Sequence, residues 1–366
     1  MTYLDKLAAS LEDIRAQGRY RAVAPYQLEG VIDFSSNDYL GLSTDRTVLQ
    51  ALQRATRVGS GGARLLGGRH REHSLLEEEL ATWLGRERAL LFSSGYHAAL
   101  GAIPVLSSAV DAVYSDALNH ASLIDGVRLT HARREVYSHG QVPPREDRPG
   151  SALIVTESIF SMDGDAVDLD AILSDLGDDD ILLVDEAHAL AVVGERGAGR
   201  AAHLRDPRVI VLGTLSKSFG AQGGFIAGPA TAIEMLVNAA RTFIFDTALP
   251  PSIALAARVA LATLRRDEAG RDALHRNVAH LRAGLLTLGF PVISDRSPIV
   301  PVILGDERRT LRVADELLLH KIYAPAIRPP TVPAGTSRLR VSVRSNHTLE
   351  AIDLLIGSVK QCIATS

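Results

Sequence analysis

Two rhythms of hydrophobic and polar positions divide this chain. Leu4, Leu7, Leu11 and Ile14 recur at helical spacing, which predicts an amphipathic helix over residues 3–17. From residue 88 the pattern changes to strand-sized apolar runs (ALLF, DAVYS, SALIVTE, ILLVDEA, VIVLGT, GGFIAG) separated by helical stretches or loops. That alternation predicts βαβ units and a mostly parallel sheet covered on both faces. Helical patterns follow over roughly 230–242, 251–265 and 271–288. The order then becomes strand, helix, strand, strand, helix, in SPIVPVIL, RRTLRVADELLLH, YAPAIR, SRLRVSV and TLEAIDLLIGSVK. The expected fold class is α/β, with a large domain whose sheet is sandwiched by helices and a smaller α+β C-terminal domain. The expected boundaries are 1–45 for the N-terminal helix and connector, 46–265 for the large domain and 266–366 for the small one.

Between the two rhythms lie shorter signals. VIDFSSNDYLGLS reads as a short strand turning at Asn37 and Asp38, followed by a helix over 46–57. Five glycines fall between Gly59 and Gly68, without the serine and proline content of a flexible linker. A loop that brings backbone close to a ligand fits this stretch better. Ser74 with Glu77 predicts a capping box at the start of the next helix.

Composition narrows the class. The chain has 366 residues, 46% of them hydrophobic and 22% charged, as in an ordinary globular protein. A net charge of −4 leaves no electrostatic footprint for nucleic acid. No apolar run reaches the length of a membrane span, and MTYLDKLAASLEDIRAQ lacks the apolar core of a signal peptide. The one cysteine, Cys362, has no partner for an internal disulfide. A cytoplasmic enzyme or binding protein is expected.

Ligands in such sheets gather at the carboxyl ends of the strands, where the chemically interesting residues fall. Lys217 follows VIVLGT in a turn of small residues; the other three lysines lie in or near helical patterns. An amine in such a turn can desolvate and attack a carbonyl. Asp185 closes an otherwise apolar strand, where a carboxylate is costly unless a cation or several donors meet it. DEAH (185–188) also matches the acidic motif of a magnesium nucleotide hydrolase, but that chemistry needs a Gly-Lys phosphate loop, and the sequence has no Gly-Lys dipeptide. His188 and His120 follow strands, without a zinc-ligand spacing or a cysteine cluster, so no metal is expected. Ser93, Ser94, Gly95 and Tyr96 join a strand to a helix whose first N–H groups suit a phosphate. One cofactor uses all of these. Pyridoxal 5'-phosphate needs a Schiff-base lysine, a carboxylate for its pyridinium nitrogen, a phosphate cradle and a group stacked on its ring.

The chain resembles the α-oxoamine synthase family of pyridoxal-phosphate enzymes, fold type I. The resemblance runs through SNDYLGL (36–42), GSGG (59–62), LNHASLIDG (118–126), ESIFSMDGD (157–165), VDEAH (184–188) and GTLSKSFGAQGG (213–224). It implies that Lys217 forms the Schiff base and moves the substrate's Cα proton, while Asp185 holds the ring nitrogen protonated. His188, with Ser158, would bond the ring's phenolic oxygen, and His120 would stack on the ring and contact substrate. Gly95 and Tyr96 would border the phosphate, with Thr214 and Ser216 nearby. Arg340 would pair with the amino-acid carboxylate; its plainer reading is an exposed cross-strand charge, which Arg338 two residues earlier could equally be. Thr331 and Asn37 would meet substrate, and Arg19 or Arg21 the acyl group.

Within the family, RPPTVPAGTSRLR (328–340) is most similar to the branch that condenses L-alanine with pimeloyl-CoA or a pimeloyl-acyl-carrier protein. Sister branches use glycine or serine. A homodimer with sites between its subunits is implied. The chain departs from the family at Ala189, where glycine is common, and at Asp246, where relatives carry the first of two threonines offered to the neighbouring subunit's phosphate. Thr247 is then the expected contact, with Asp246 turned away. A binding module that had lost its chemistry would have lost Lys217 or Asp185, and both are present.

Overall fold

The structure is a computed structural model that describes residues 1–21, 29–291, 293 and 296–365. Helix α1 (Tyr3–Ala16) opens on a reciprocal cap between Thr2 and Asp5, and none of its residues is buried. Strand β1 (Ile32–Asp33) precedes α2 (Arg46–Gln53), which stops four residues short of the expected end. Then come α3 (Arg71–Leu84), β2 (Arg88–Phe92), α4 (Gly95–Leu106), β3 (Ala112–Asp116), α5 (Ala121–Arg128), β4 (Arg133–Tyr137), β5 (Ala152–Glu157) and α6 (Leu169–Ser174). Strands β6 (Ile181–Asp185), β7 (Val209–Thr214) and β8 (Gly224–Gly228) lead to α7 (Ala230–Ala239), α8 (Arg241–Ile244), α9 (Pro251–Leu264) and α10 (Glu268–Thr287). The chain ends with β9 (Ile299–Gly305), α11 (Glu307–Leu319), β10 (Ile322–Tyr323), β11 (Ala326–Ile327), β12 (Ser337–Ser342) and α12 (Leu349–Thr365).

Contacts divide the described residues into two units. The larger spans 36–301 and 342–356; the smaller takes in 1–35, 302–341 and 357–366. This division differs from the boundaries expected along the chain, because α10 and residues 342–356 join the larger unit. Asn277 on α10 explains part of that grouping, since its amide donates to the carbonyls of Arg344, Ser345 and His347 at 3.0, 3.3 and 2.7 Å.

The larger unit is built on a seven-stranded sheet in the order β2-β8-β7-β6-β5-β3-β4. Only β8 runs antiparallel to its neighbours, so six carboxyl ends share one edge. Alternate residues such as Leu153, Val155, Leu183, Ile210 and Leu212 pack with Ala98, Ile103, Leu123 and Ile233 from α4, α5 and α7 in one buried core. Helix α3 packs on β2 and β8 and is itself covered by α9. At about 25 cal/mol per Å² of apolar surface removed from water, this two-sided burial is the main force holding the strands in register.

Strand β4 was not legible as a strand. Its RREVY is mostly exposed and charged because it forms the sheet's edge, where charges discourage further pairing. The expected capping box is also corrected. Helix α3 begins at Arg71, capped by His70 and His73, which leaves Ser74 inside the helix. Glu77 instead receives Arg64 at 2.9 and 3.0 Å and the Leu91 N–H at 2.9 Å. This pair, with Ser60 donating to the Leu249 carbonyl at 2.7 Å, anchors the glycine-rich stretch, which is no flexible linker.

In the smaller unit β1 pairs parallel with β10, and β11, β12 and β9 form a three-stranded sheet in that order. Arg328 donates to the carbonyls of Gly18 and Tyr20, fastening the segment after α1.

Candidate active site

A cleft of about 270 Å³ opens at the carboxyl edge of the large sheet, lined by residues from the turns after β2, β3, β5, β6 and β7. A hollow of similar size, about 240 Å³ beside Trp83, Arg196 and Arg265, has no lysine in its wall. Lys217 enters the cleft from the turn after β7, and its Nζ lies 2.7 Å from Nε2 of His188. Asp185 ends β6 with its carboxylate buried, accepting the Ala187 N–H at 2.8 Å. Burial pushes this carboxyl up, while the Lys217 ammonium and the Ala187 N–H pull it back. A cation placed against Asp185 would therefore be met by a carboxylate with little other relief.

His120 caps α5. Its Nδ1 accepts from the Ser122 N–H and hydroxyl at 3.2 and 2.8 Å, which fixes the ring. Desolvation lowers its pKa, Asp185 offsets part of that and Lys217 adds to it, so the imidazole is neutral at pH 7. The His120 N–H donates to Glu157 at 2.6 Å. Glu157 stands in the cleft wall beside Asp185, and burial, reinforced by the Asp185 charge, raises its pKa well above the usual carboxylate range.

The end of the cleft at the start of α4 is built from backbone. Ser94 caps α4 by accepting the His97 N–H at 3.0 Å, leaving the first N–H groups at Gly95 and Tyr96 on the cleft. A Cβ at Gly224 would lie 2.4 Å from the Gly95 nitrogen, so that position needs glycine, and a Cβ at Gly95 would press on the Thr214 side chain at 3.2 Å. Thr214 donates to the Gly223 carbonyl at 3.1 Å and bonds Ser216 at 2.8 Å. Tyr96 turns its hydroxyl to Asp125 on α5, so its contribution at the cradle is the main chain.

The structure thus brings Lys217, Asp185, His188, His120, Gly95, Tyr96, Thr214 and Ser216 to one cleft. Ser158, in the bend just after β5, donates its hydroxyl to buried Glu186 at 3.0 Å. Asn37 accepts from Tyr39 at 3.1 Å and Ser342 at 3.3 Å. In the smaller unit Arg21 reaches the Thr331 hydroxyl at 3.4 Å, whereas Arg19 donates to the Gln17 side chain at 3.3 Å. Arg340 and Arg338 are both buried on β12, which overturns the reading of an exposed cross-strand charge. Arg338 is turned onto Thr336, at 2.9 and 3.1 Å. Thr247 lies near Arg64 and Ser93 in a neighbouring hollow. The carboxylate of Asp246 is held by Ser93 and by His97, the latter at 3.0 Å. Glu157 and Tyr39 carry no role in the sequence reading. For Glu157 the signal was its place at a strand end beside Asp185.

The donor set fits pyridoxal phosphate. One lysine amine, one buried carboxylate, a neutral imidazole and a helix start hemmed in by glycine and hydroxyls are the groups its aldehyde, ring nitrogen, ring face and phosphate require.

Comparisons with known proteins agree. Residues 29–359 match the family described as aminotransferase class I and II. The 8-amino-7-oxononanoate synthase of Thioalkalivibrio sulfidiphilus is 41% identical over 98% of each chain. Among solved structures, Sphingomonas wittichii serine palmitoyltransferase superposes with a TM-score of 0.89 at 30% identity, covering 100% of this chain and 98% of that one. The 8-amino-7-oxononanoate synthase of Francisella tularensis gives 0.79 at 29%, covering 92% and 99%. No helix among the described residues is long and apolar enough to cross a membrane. The chain belongs to the aminotransferase class I and II family, as a fold type I, pyridoxal-phosphate-dependent acyltransferase of the α-oxoamine synthase branch.

Proposed function

We propose that the chain condenses L-alanine with a pimeloyl thioester, of coenzyme A or an acyl-carrier protein, releasing carbon dioxide and the free thiol and giving 8-amino-7-oxononanoate for biotin biosynthesis in the cytoplasm. The supporting observation is the convergence of Lys217, Asp185, His188 and His120 in one cleft of a chain whose relatives of over 40% identity carry that enzyme's name.

Bound pyridoxal phosphate supplies an electron sink for the carbanion at the amino acid's Cα. The residues divide the remaining work. Asp185 holds the proton on the ring nitrogen, the α4 start with Thr214 and Ser216 holds the phosphate, and His120 covers the ring. Lys217 anchors the cofactor, takes the Cα proton and returns it after carbon dioxide has left. Between those transfers the Cα–C bond to the thioester carbonyl forms and the C–S bond breaks. Arg340 suits the amino-acid carboxylate because a guanidinium can bind it with two parallel hydrogen bonds. Arg21, already beside Thr331, suits the acyl group better than Arg19. Thr247 is assigned to the phosphate of a second subunit in a homodimer.

The deciding experiment gives the holoenzyme alanine, glycine or serine with pimeloyl-CoA and analyses the products by mass spectrometry. Alanine alone should yield 8-amino-7-oxononanoate. A glycine- or serine-derived product in its place would overturn the donor assignment in favour of a sister branch, the reading favoured by the serine palmitoyltransferase superposition.

A further inference from the structure

The segment after α8 is fastened at both ends to the rest of the larger unit. Asp246 is held by the Ser93 hydroxyl and by Nδ1 of His97, the latter at 3.0 Å; a carboxylate only accepts, so both groups donate to it. Ser93 follows β2 and His97 lies in the first turn of α4, so this grip spans the start of that helix. Two residues beyond Asp246, the Ala248 N–H donates to the Gly62 carbonyl at 3.0 Å. The Leu249 carbonyl then accepts the Ser60 hydroxyl at 2.7 Å and meets Nε2 of buried His73 at 2.6 Å. Between these fastenings stands Thr247, exposed and with no hydrogen bond of its own among the described residues. Its place is set by its neighbours, and its hydroxyl is left to offer.

The two ends of this strap are held differently. Ala248 and Leu249 tie it to the glycine-rich stretch and to α3, whereas Asp246 ties it to the residues that flank the start of α4. The same grip turns the negative charge onto two donors. A carboxylate that faced a phosphate from the position next to Thr247 would repel it instead. Without the grip, the residue before Thr247 is free to turn, and the Thr247 hydroxyl loses its fixed direction. We propose that Asp246 is a positioning residue whose hold on Ser93 and His97 presents the Thr247 hydroxyl to the cofactor phosphate of a second copy of this chain. The proposal rests on the assignment of Thr247 to a partner's phosphate, and not on which amino acid or thioester is used.

The test measures the dissociation constants of pyridoxal phosphate and of pyridoxal, which lacks the phosphate, by absorbance titration of the full-length chain after its cofactor has been removed. Thr247→Ala should weaken pyridoxal phosphate roughly tenfold, as one lost hydrogen bond to a charged group implies. Asp246→Ala should weaken it roughly three- to tenfold, the grip being partly exposed to solvent. The double variant should bind no worse than Thr247→Ala alone, because the two residues act through one contact. Asp246→Asn keeps an oxygen for Ser93 and should stay within about twofold of the unaltered chain. Pyridoxal offers the hydroxyl nothing to meet and should bind every variant within about twofold of the unaltered chain. Additive losses in the double variant, an Asp246→Ala loss shared by pyridoxal, or no Asp246→Ala loss at all overturns the proposal. If Thr247→Ala binds pyridoxal phosphate as the unaltered chain does, the assignment of Thr247 falls and the positioning role with it. The donor assignment is decided separately, by the product analysis.

Discussion

Glu157 and Asp185 are register partners at the ends of adjacent parallel strands, and both carboxyls are buried. Two such groups cannot both ionise cheaply. Glu157 is raised well above the usual carboxylate range, by burial first and the Asp185 charge second, with Lys217 and the His120 N–H offsetting part; Asp185 is also raised by burial, with Lys217 and the Ala187 N–H offsetting part. Of the two, Glu157 is the more readily protonated member.

That assignment makes the two amide variants unequal. Glu157→Gln keeps an uncharged group in place and should retain cofactor binding and turnover within a few-fold. Asp185→Asn leaves the ring nitrogen without its counter-charge and should cost about 3–5 kcal/mol if the pair is buried, a loss of two or more powers of ten in kcat/KM. Equal losses in both variants would reverse the assignment.

Lys217→Ala removes the amine proposed to anchor the cofactor and move the proton. The variant should lose the visible absorbance of covalently held pyridoxal phosphate and at least about a thousandfold in kcat, in line with the size of acid–base contributions. Retention of both colour and turnover would contradict the role given to Lys217.

Arg21→Ala should raise KM for the acyl thioester roughly tenfold with kcat nearly unchanged, as a lost charge-assisted hydrogen bond of about 1.5–3 kcal/mol implies. Arg19→Ala should leave both constants within about twofold. Steady-state kinetics on the two variants separate them, and the reverse pattern would move the acyl contact to Arg19.

His139 sits between Asp116 at 3.0 Å and Asp165 at 2.6 Å. Burial works against its charged form, but hydrogen bonds to the two carboxylates outweigh it and the pKa is raised. A raised histidine contributes stability that is complete below its unfolded value near 6.5 and is lost as pH rises through the folded value. His139→Asn should therefore destabilise by about 1–3 kcal/mol at pH 6, toward the low end because the side chain is 29% exposed. At pH 9 the difference should be smaller. Urea unfolding at the two pH values measures it, and a variant equally destabilised at both would show that the charge is not involved.

The sheet and its lysine were legible because the informative residues stand where apolar runs stop: Asp185 after ILLV and Lys217 after VIVLGT. Strand β4 was hidden by the charges that protect an edge. The hydroxyl of Ser158 lies on buried Glu186, which also accepts the N–H of Arg200, and a pairing across 28 residues is not revealed by local spacing. Ser74 matched a capping pattern, but Glu77 was drawn to Arg64, 13 residues earlier, by a two-pronged ion pair that local spacing does not reveal. The Tyr39 hydroxyl meets Nδ1 of His188 at 2.6 Å across 149 residues, and no periodicity links them.

Strand β8, alone in running against its neighbours, begins at the edge where they end, and its first residue, Gly224, touches the start of α4. On the proposed roles, which put the cofactor's phosphate here, one wall of its cradle is main chain against main chain: a methyl group added at Gly224 would press into the Gly95 nitrogen. That wall cannot give way by swinging a side chain aside, so any adjustment to a larger anion falls to Thr214 and Ser216.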